Sequence, residues 1–264
     1  MISEHLDLGI KGRTAIVCGS SKGLGFACAT SLARAGVDVV LNGRSEAALE
    51  TAAEKLRGEI GRPVRRVAAD VTTPEGRAAL LAQCPEPDIL VTNAGGPPPG
   101  QFEDWDEAKW QTALNANMVA PIMLIRSTIG PMRKKRWGRI LNITSSAVKA
   151  PIAVLGLSNG ARTGLTGFVA GLARQAIKDG VTINNLLPGP FDTDRLRSVA
   201  ASMARARNVS AEEAMEEMKA ANPSGRVGTP EEFGVACAYL ASAHAGFITG
   251  QNLLLDGGAY PGTL

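Results

Sequence analysis

The chain has 264 residues, of which 45% are hydrophobic and 20% charged, and a net charge of +3. That length holds one large α/β domain or two small ones with a sizeable core, and the mild positive balance gives no ground for a nucleic-acid partner. No run is long and apolar enough to span a bilayer, and the N-terminal MISEHLDLGIKGR lacks an apolar signal core, so a cytoplasmic protein without membrane association is expected.

The four cysteines (Cys18, Cys28, Cys84, Cys237) sit in apolar segments without metal spacing. They read as reduced thiols in a core. The two histidines, His5 and His244, lie near opposite ends of the chain. Neither a metal site nor a Ser-His triad is expected from them.

The first informative stretch is Arg13 to Gly25. Ala15, Ile16, Val17 and Cys18 read as a short buried strand. Gly19 follows, then a turn containing Ser21 and Lys22, then Gly23, Leu24 and Gly25, then an alanine-rich helical pattern. Strand, glycine turn and helix in that order can cradle a pyrophosphate, because glycines let the ligand approach and a helix N-terminus offers free N–H groups. A tight structural turn has the same composition, and the Gly-x3-Gly-x-Gly spacing is not the Gly-x-Gly-x-x-Gly of other dinucleotide folds.

Val37 to Leu41 is a second strand, entered through Ala35-Gly36 as a helix C-cap. It ends at Asn42-Gly43-Arg44, where NAD sites carry an acidic residue for the ribose. Here Arg44 stands instead, and with Lys22 it can clamp a 2′-phosphate, which points to NADP, with NADPH preferred over NADH. Both cations can also be solvated turn residues. Ser45 to Arg57 reads as a helix with a serine cap. Val64 to Ala69 is a third strand, ending at Asp70-Val71. Thr73 to Gln83 is a helix with Pro74 in its first turn. Asp88 to Val91 is a fourth strand, running into Thr92-Asn93-Ala94-Gly95. Strands alternating with helices predict a parallel, doubly wound Rossmann-type sheet with helices on both faces. Gly19, Arg44, Asp70 and Asn93 then gather at the carboxyl ends of the strands, where such sheets bind ligands.

Gly19 to Gly25, Asp70, the Asn93-Ala94-Gly95 triplet and a later Pro188-Gly189 resemble the short-chain dehydrogenase/reductase family, most of all its 3-oxoacyl-carrier-protein reductases. The likeness spans nearly the whole chain, through Asn222-Pro-Ser-Gly-Arg-Val-Gly-Thr-Pro-Glu-Glu and Asp256-Gly257-Gly258. One departure is Thr92, where the family has the first asparagine of Asn-Asn-Ala-Gly. The resemblance implies that Asp70, Val71, Asn93, Ala94 and Gly95 line a cofactor site. It also implies that Pro188, Gly189, Phe191 and Thr193 meet the nicotinamide and phosphates, and that the chain forms a homodimer or homotetramer.

Trp105 to Met132 is expected to form one or two long helices. By resemblance, Asn117 kinks this region and holds a water chain. Arg133-Lys134-Lys135-Arg136 closes it, either as a solvated helix end favoured by the dipole or as a dock for an acidic acyl carrier protein. Gly138 to Thr144 is a fifth strand delivering Ser145, where the family keeps its substrate-orienting serine.

The family's tyrosine lies thirteen residues after that serine and its lysine four further on; here those positions hold Ser158 and Arg162. The only tyrosines are Tyr239 and Tyr260. A serine hydroxyl is a far poorer acid than a phenol, and arginine does not release a proton near neutral pH. The cofactor half of the site is therefore retained and the proton-transfer half replaced. Ordered water, Lys149, or Tyr260 from a neighbouring subunit are the candidate proton sources.

Gly164 to Ala173 reads as the next helix, and its small face (Gly160, Gly164, Gly167, Gly171) suits either a subunit contact or packing on its own sheet. By resemblance, the subunits meet through residues 105–132 and 156–179. Val181 to Leu187 is a sixth strand. Arg195 to Ala221 is a charge-rich helical insert, a lid over the substrate by resemblance and otherwise a plain surface helix. Thr229-Pro230 starts the last long helix, and Leu253 to Leu255 is a final strand. One domain over residues 1–264 is expected, with a lid-like insert at about 194–222. Two functions follow: an atypical NADP(H)-dependent oxidoreductase acting on a small-molecule carbonyl or alcohol, 3-oxoacyl-like by resemblance, or an NADP(H)-binding protein without turnover. A subunit that has lost the cofactor as well is disfavoured by the Gly19–Gly25 turn.

Overall fold

Seven strands form one parallel sheet in the order β3-β2-β1-β4-β5-β6-β7. They are β1 (Thr14–Val17), β2 (Asp38–Gly43), β3 (Arg65–Ala68), β4 (Ile89–Thr92), β5 (Gly138–Ile143), β6 (Val181–Pro188) and β7 (Asn252–Leu255). This computed structural model describes residues 7–263; His5 and every other residue before Asp7 lie outside the described residues. The order reverses between β1 and β4, which creates the crevice where such sheets bind ligands.

The strands are apolar on both faces because helices cover both. Alternate residues therefore enter different cores. Ala15, Val17, Val39, Leu41, Leu141 and Leu186 pack under α1 (Gly23–Arg34), α2 (Glu46–Ile60) and α9 (Pro230–Ala241). Ile16, Val40, Leu90, Ile140 and Ile183 pack on the other face under α5 (Ala120–Lys135) and α6 (Gly156–Ala176). The four cysteines are free and buried, as small core residues. Among the described residues no helix is long and apolar enough to cross a membrane.

Local chemistry sets the boundaries. Ser45 caps α2 and Gly61 closes it in the left-handed conformation (φ +67°), so that helix runs three residues past the expected Arg57. Thr73 caps α3 (Pro74–Gln83), and Thr229 caps α9 through a reciprocal bond with Glu232. The helical region expected over 105–132 begins later, because Asp106 caps α4 (Glu107–Leu114) and leaves Trp105 outside. It then continues through a π-helical stretch, Asn115–Val119, directly into α5 and on to Lys135. The charge-rich insert is two helices, α7 (Asp194–Arg207) and α8 (Ala211–Ala220). Asn208 ends the first at φ +54°, and Ser210 caps the second.

Three of the four cations at the end of α5 have local partners, and Lys134 is exposed. Arg133 and Arg136 face Asp179, and Lys135 bonds the Glu86 carbonyl and faces its carboxylate. The small face of α6 divides. A Cβ at Gly160 would stand 2.9 Å from Trp110 and one at Gly164 2.5 Å from Met118 Sδ, so those two serve packing within the chain. Gly167 and Gly171 face open space.

Candidate active site

The crevice is built at the end of β1. Gly19 adopts φ +56°, and a Cβ there would stand 2.8 Å from Asn93 Nδ2. A Cβ at Gly25 would collide with the Gly19 carbonyl. Glycine is therefore required at both positions. Asn93 Nδ2 donates to the Gly19 carbonyl (3.1 Å), fastening the β4 loop onto the turn. Ser20, missed in the sequence, fastens it to β2: its hydroxyl donates to the Val17 carbonyl (2.7 Å) and accepts from Asn42 N–H (2.9 Å).

The N-terminus of α1, like that of α6, has no side-chain cap and no acidic residue in its first turn. Helices α2, α3, α4, α7, α8 and α9 each begin with a Ser, Thr or Asp side chain bonded to a first-turn N–H, whereas α1 begins at Lys22. Its first N–H groups remain available to an anion. Thr193, which caps α7, lies across from Gly23: a Cβ on Gly23 would be 3.7 Å from its methyl carbon. The Pro188-Gly189-Pro190-Phe191 segment is held there by the Gly189 N–H bond to the Leu255 carbonyl (2.8 Å) and by Phe191 packed edge-on against Phe233 (5.2 Å).

Lys22 and Arg44 have different neighbours. Lys22 Nζ pairs with Asp194 Oδ2 (3.0 Å), which holds Asp194 below its ordinary range. Arg44 is exposed and acts on Asp70. Asp70 accepts from Thr72 N–H (2.9 Å) and Thr72 Oγ1 (2.7 Å), and those bonds, with the Arg44 charge, lower its pKa. Val71 accepts from Arg77 at its carbonyl (2.9 Å). Ser21 lies against Gly43, and Leu24 packs at the edge of the core under α1.

The other half of the crevice lies at the ends of β4, β5 and β6. Ser145, just past β5, is half-buried and accepts from Ala147 N–H (3.2 Å), leaving its hydroxyl hydrogen free. Asn117 is buried within the π-helical stretch; its amide donates to the Ala113 carbonyl (3.3 Å), and its Oδ1 has no partner. Ser158 and Arg162 project from one face of α6, as i and i+4 must. They are 4% and 7% exposed. Arg162 Nε donates to Ser158 Oγ (3.1 Å), Nη1 to the carbonyls of Ile143 (2.9 Å) and Thr144 (2.6 Å), and Nη2 to that of Ala94 (3.3 Å). Burial and the neighbouring Arg195 pull its pKa down to about 10, so it is charged at neutral pH.

Thr92 has a role the sequence did not reveal. Its hydroxyl donates to Asn142 Oδ1 (2.7 Å), Asn142 Nδ2 donates to Asn185 Oδ1 (3.1 Å), and Asn185 Nδ2 donates to Asn252 Oδ1 (2.8 Å). Strand register sets these residues side by side across β4, β5, β6 and β7. Tyr260 stands beside Lys149 of the same chain, whose Nζ is 5.6 Å from the ring centre. Among the described residues no group of His, Cys, Asp and Glu could hold a metal.

A family model described as "Enoyl-(Acyl carrier protein) reductase" matches residues 19–260. The chain is a short-chain dehydrogenase/reductase. It is 33% identical over 259 residues to 3-oxoacyl-[acyl-carrier-protein] reductase FabG of Vibrio cholerae, covering 96% of this chain and 99% of that one. It is 32% identical over 254 residues to D-beta-hydroxybutyrate dehydrogenase of Rhizobium meliloti, covering 93% and 98%. Among solved structures, L-sorbose reductase of Gluconobacter frateurii, complexed with NADPH and L-sorbose, superposes with a TM-score of 0.92 at 29% identity, covering 97% of this chain and 100% of that one.

Proposed function

We propose that this short-chain oxidoreductase uses NADP(H) to interconvert a small-molecule carbonyl and its alcohol, with Ser158 and Arg162 in place of the family's tyrosine and lysine. The observation that carries the reading is the uncapped N-terminus of α1 behind a turn in which Gly19 and Gly25 tolerate no side chain. A dinucleotide diphosphate satisfies those N–H groups. Lys22 and Arg44 would hold the 2′-phosphate, Lys22 exchanging Asp194 for it. Asp70 and Val71 would meet the adenine side, and Asn93, Ala94, Gly95, Pro188, Gly189, Phe191 and Thr193 the remainder. The L-sorbose reductase neighbour, solved with NADPH, supports this choice of cofactor.

When bound, the nicotinamide supplies hydride to the carbonyl carbon. Ser145 and Ser158 donate their hydroxyl hydrogens to the carbonyl oxygen. The charged N–H of Arg162 polarises Ser158 and strengthens its donation. Arg162 keeps its protons, so the one that completes the alcohol comes from solvent through Ser158. Replacing a positioned general acid in this way costs about 10²- to 10⁴-fold in rate. Asn117 would position water beside the site through its unpartnered Oδ1. The relatives favour 3-oxo and 3-hydroxy compounds as substrates. The chain acts as one domain in a homodimer or homotetramer, with α7 and α8 over the substrate.

The test is NADPH oxidation across a panel of carbonyl compounds, followed by Ser158→Ala and Arg162→Ala on the best substrate. Each variant is expected to lose at least about tenfold in kcat/KM. Unchanged turnover in both removes these residues from the site. NADPH binding with no turnover on any carbonyl instead supports a nucleotide-binding protein, the reading that the missing tyrosine and lysine favour.

A further inference from the structure

Arg162 carries a charge that no described acid neutralises. All four of its acceptors are neutral, three backbone carbonyls and one hydroxyl, and one of its five N–H groups is left over. A buried cation without a counterion is costly unless an anion reaches it.

A second guanidinium converges on the same place. Arg195, in the first turn of α7, lies over the β4 loop: its Nη1 and Nη2 are each 2.5 Å from where a Cβ on Gly96 would stand. Gly96 is two residues from Ala94, whose carbonyl Arg162 holds. The nearby acids are engaged elsewhere, Asp192 with Arg197 and Asp194 with Lys22 and Arg197. Two like charges are thus brought together at the mouth of the reaction half of the crevice.

The anion has two available sources, the cofactor's phosphates or the substrate. The phosphates already have a place at the α1 N-terminus, beside Gly23, Thr193 and Lys22. Arg162 stands instead on the β5 and α6 side, bonded to Ser158. We propose that the substrate carries a carboxylate, seated between Arg162 and Arg195 with its carbonyl against Ser145 and Ser158, and that Arg195 is the specificity-determining residue. This rests on the oxidoreductase reading and narrows it to free oxo acids in preference to esters and thioesters. Because Arg195 belongs to α7, the carboxylate also ties that helix to the β4 loop.

The experiment is calorimetric titration of the NADP⁺-saturated protein with 2-oxobutanoate, acetoacetate and 2-oxoglutarate, each beside its ethyl ester. At least one acid is expected to bind about tenfold or more tightly than its ester. Arg195→Gln, an exposed position that folding tolerates, is expected to erase that preference while leaving the NADPH Kd within about twofold. The proposal is overturned if no acid outbinds its ester, or if Arg195→Gln weakens NADPH and spares the acids, which assigns the arginines to the cofactor's phosphates. Arg195-dependent binding of an acid that NADPH never reduces keeps the carboxylate site and removes the oxidoreductase reading. Reduction of acid and ester alike does the reverse.

Discussion

The two halves of the crevice are built from different materials. Around β1 and α1 the site is backbone: glycines that cannot carry a Cβ, an uncapped helix end, and carbonyls fixed by Asn93 and Ser20. Around β5 and α6 it is side chain, centred on a buried arginine that spans from Ser158 to three carbonyls. A backbone site depends on where glycine stands and little else. A side-chain site can be rebuilt with other residues, provided that every buried donor and acceptor still finds a partner. In this chain Ser158 and Arg162 bond each other, and Arg162 holds three backbone carbonyls with one N–H to spare.

The strongest way to break the contrast is Arg162→Ala. It leaves the Ile143, Thr144 and Ala94 carbonyls short of a donor and opens a cavity beneath Ser158. Urea unfolding is expected to show a loss of about 3 kcal/mol, the range for a broken buried polar network. A loss below about 0.5 kcal/mol would mean that the arginine is not an anchor.

Asn142→Leu sharpens it by cutting the Thr92-to-Asn252 row beside Arg162. Thr92 loses its acceptor and Asn185 its donor, so a loss of about 2 kcal/mol is expected. The NADPH Kd should stay within about twofold, because the row lies outside the glycine turn. A large change in that Kd would show the two halves to be coupled through the sheet.

The smallest effect belongs to the cofactor side, where α9 packs beside α1. Arg226 and the Thr229 N–H hold Glu232 down to about 2, from an ordinary 4.5. A carboxylate depressed in the folded state contributes stability above its unfolded pKa, lost as pH falls through the folded one. The Tm deficit of Glu232→Gln should therefore be full at neutral pH, shrink below about 4.5 and vanish near 2. A deficit independent of pH would assign it to packing.

What the sequence made legible was local. The caps at Ser45 and Thr229, the glycine turn and the strand-helix alternation all depend on neighbours within a few residues, and all are found. What it hid was long-range. Lys22 meets Asp194 across 172 positions, and Arg162 meets Ala94 across 68. Asn142 and Asn185 are asparagines inside strands, where propensity disfavours them, and only the register of neighbouring strands gives their amides partners. Tyr260 reaches Lys149 by the path of the C-terminal segment, which no periodicity encodes.

The central claim, that the backbone half is a working dinucleotide site to which the Lys22 and Arg44 side chains add selection for the 2′-phosphate, is tested most directly by titrating the purified protein with NADPH and NADH in a calorimeter. The account predicts micromolar NADPH, NADH weaker by about tenfold or more, and loss of that difference in the Lys22→Ala, Arg44→Ala double variant. No binding of either dinucleotide at millimolar concentration would contradict it and reduce the glycine turn to architecture.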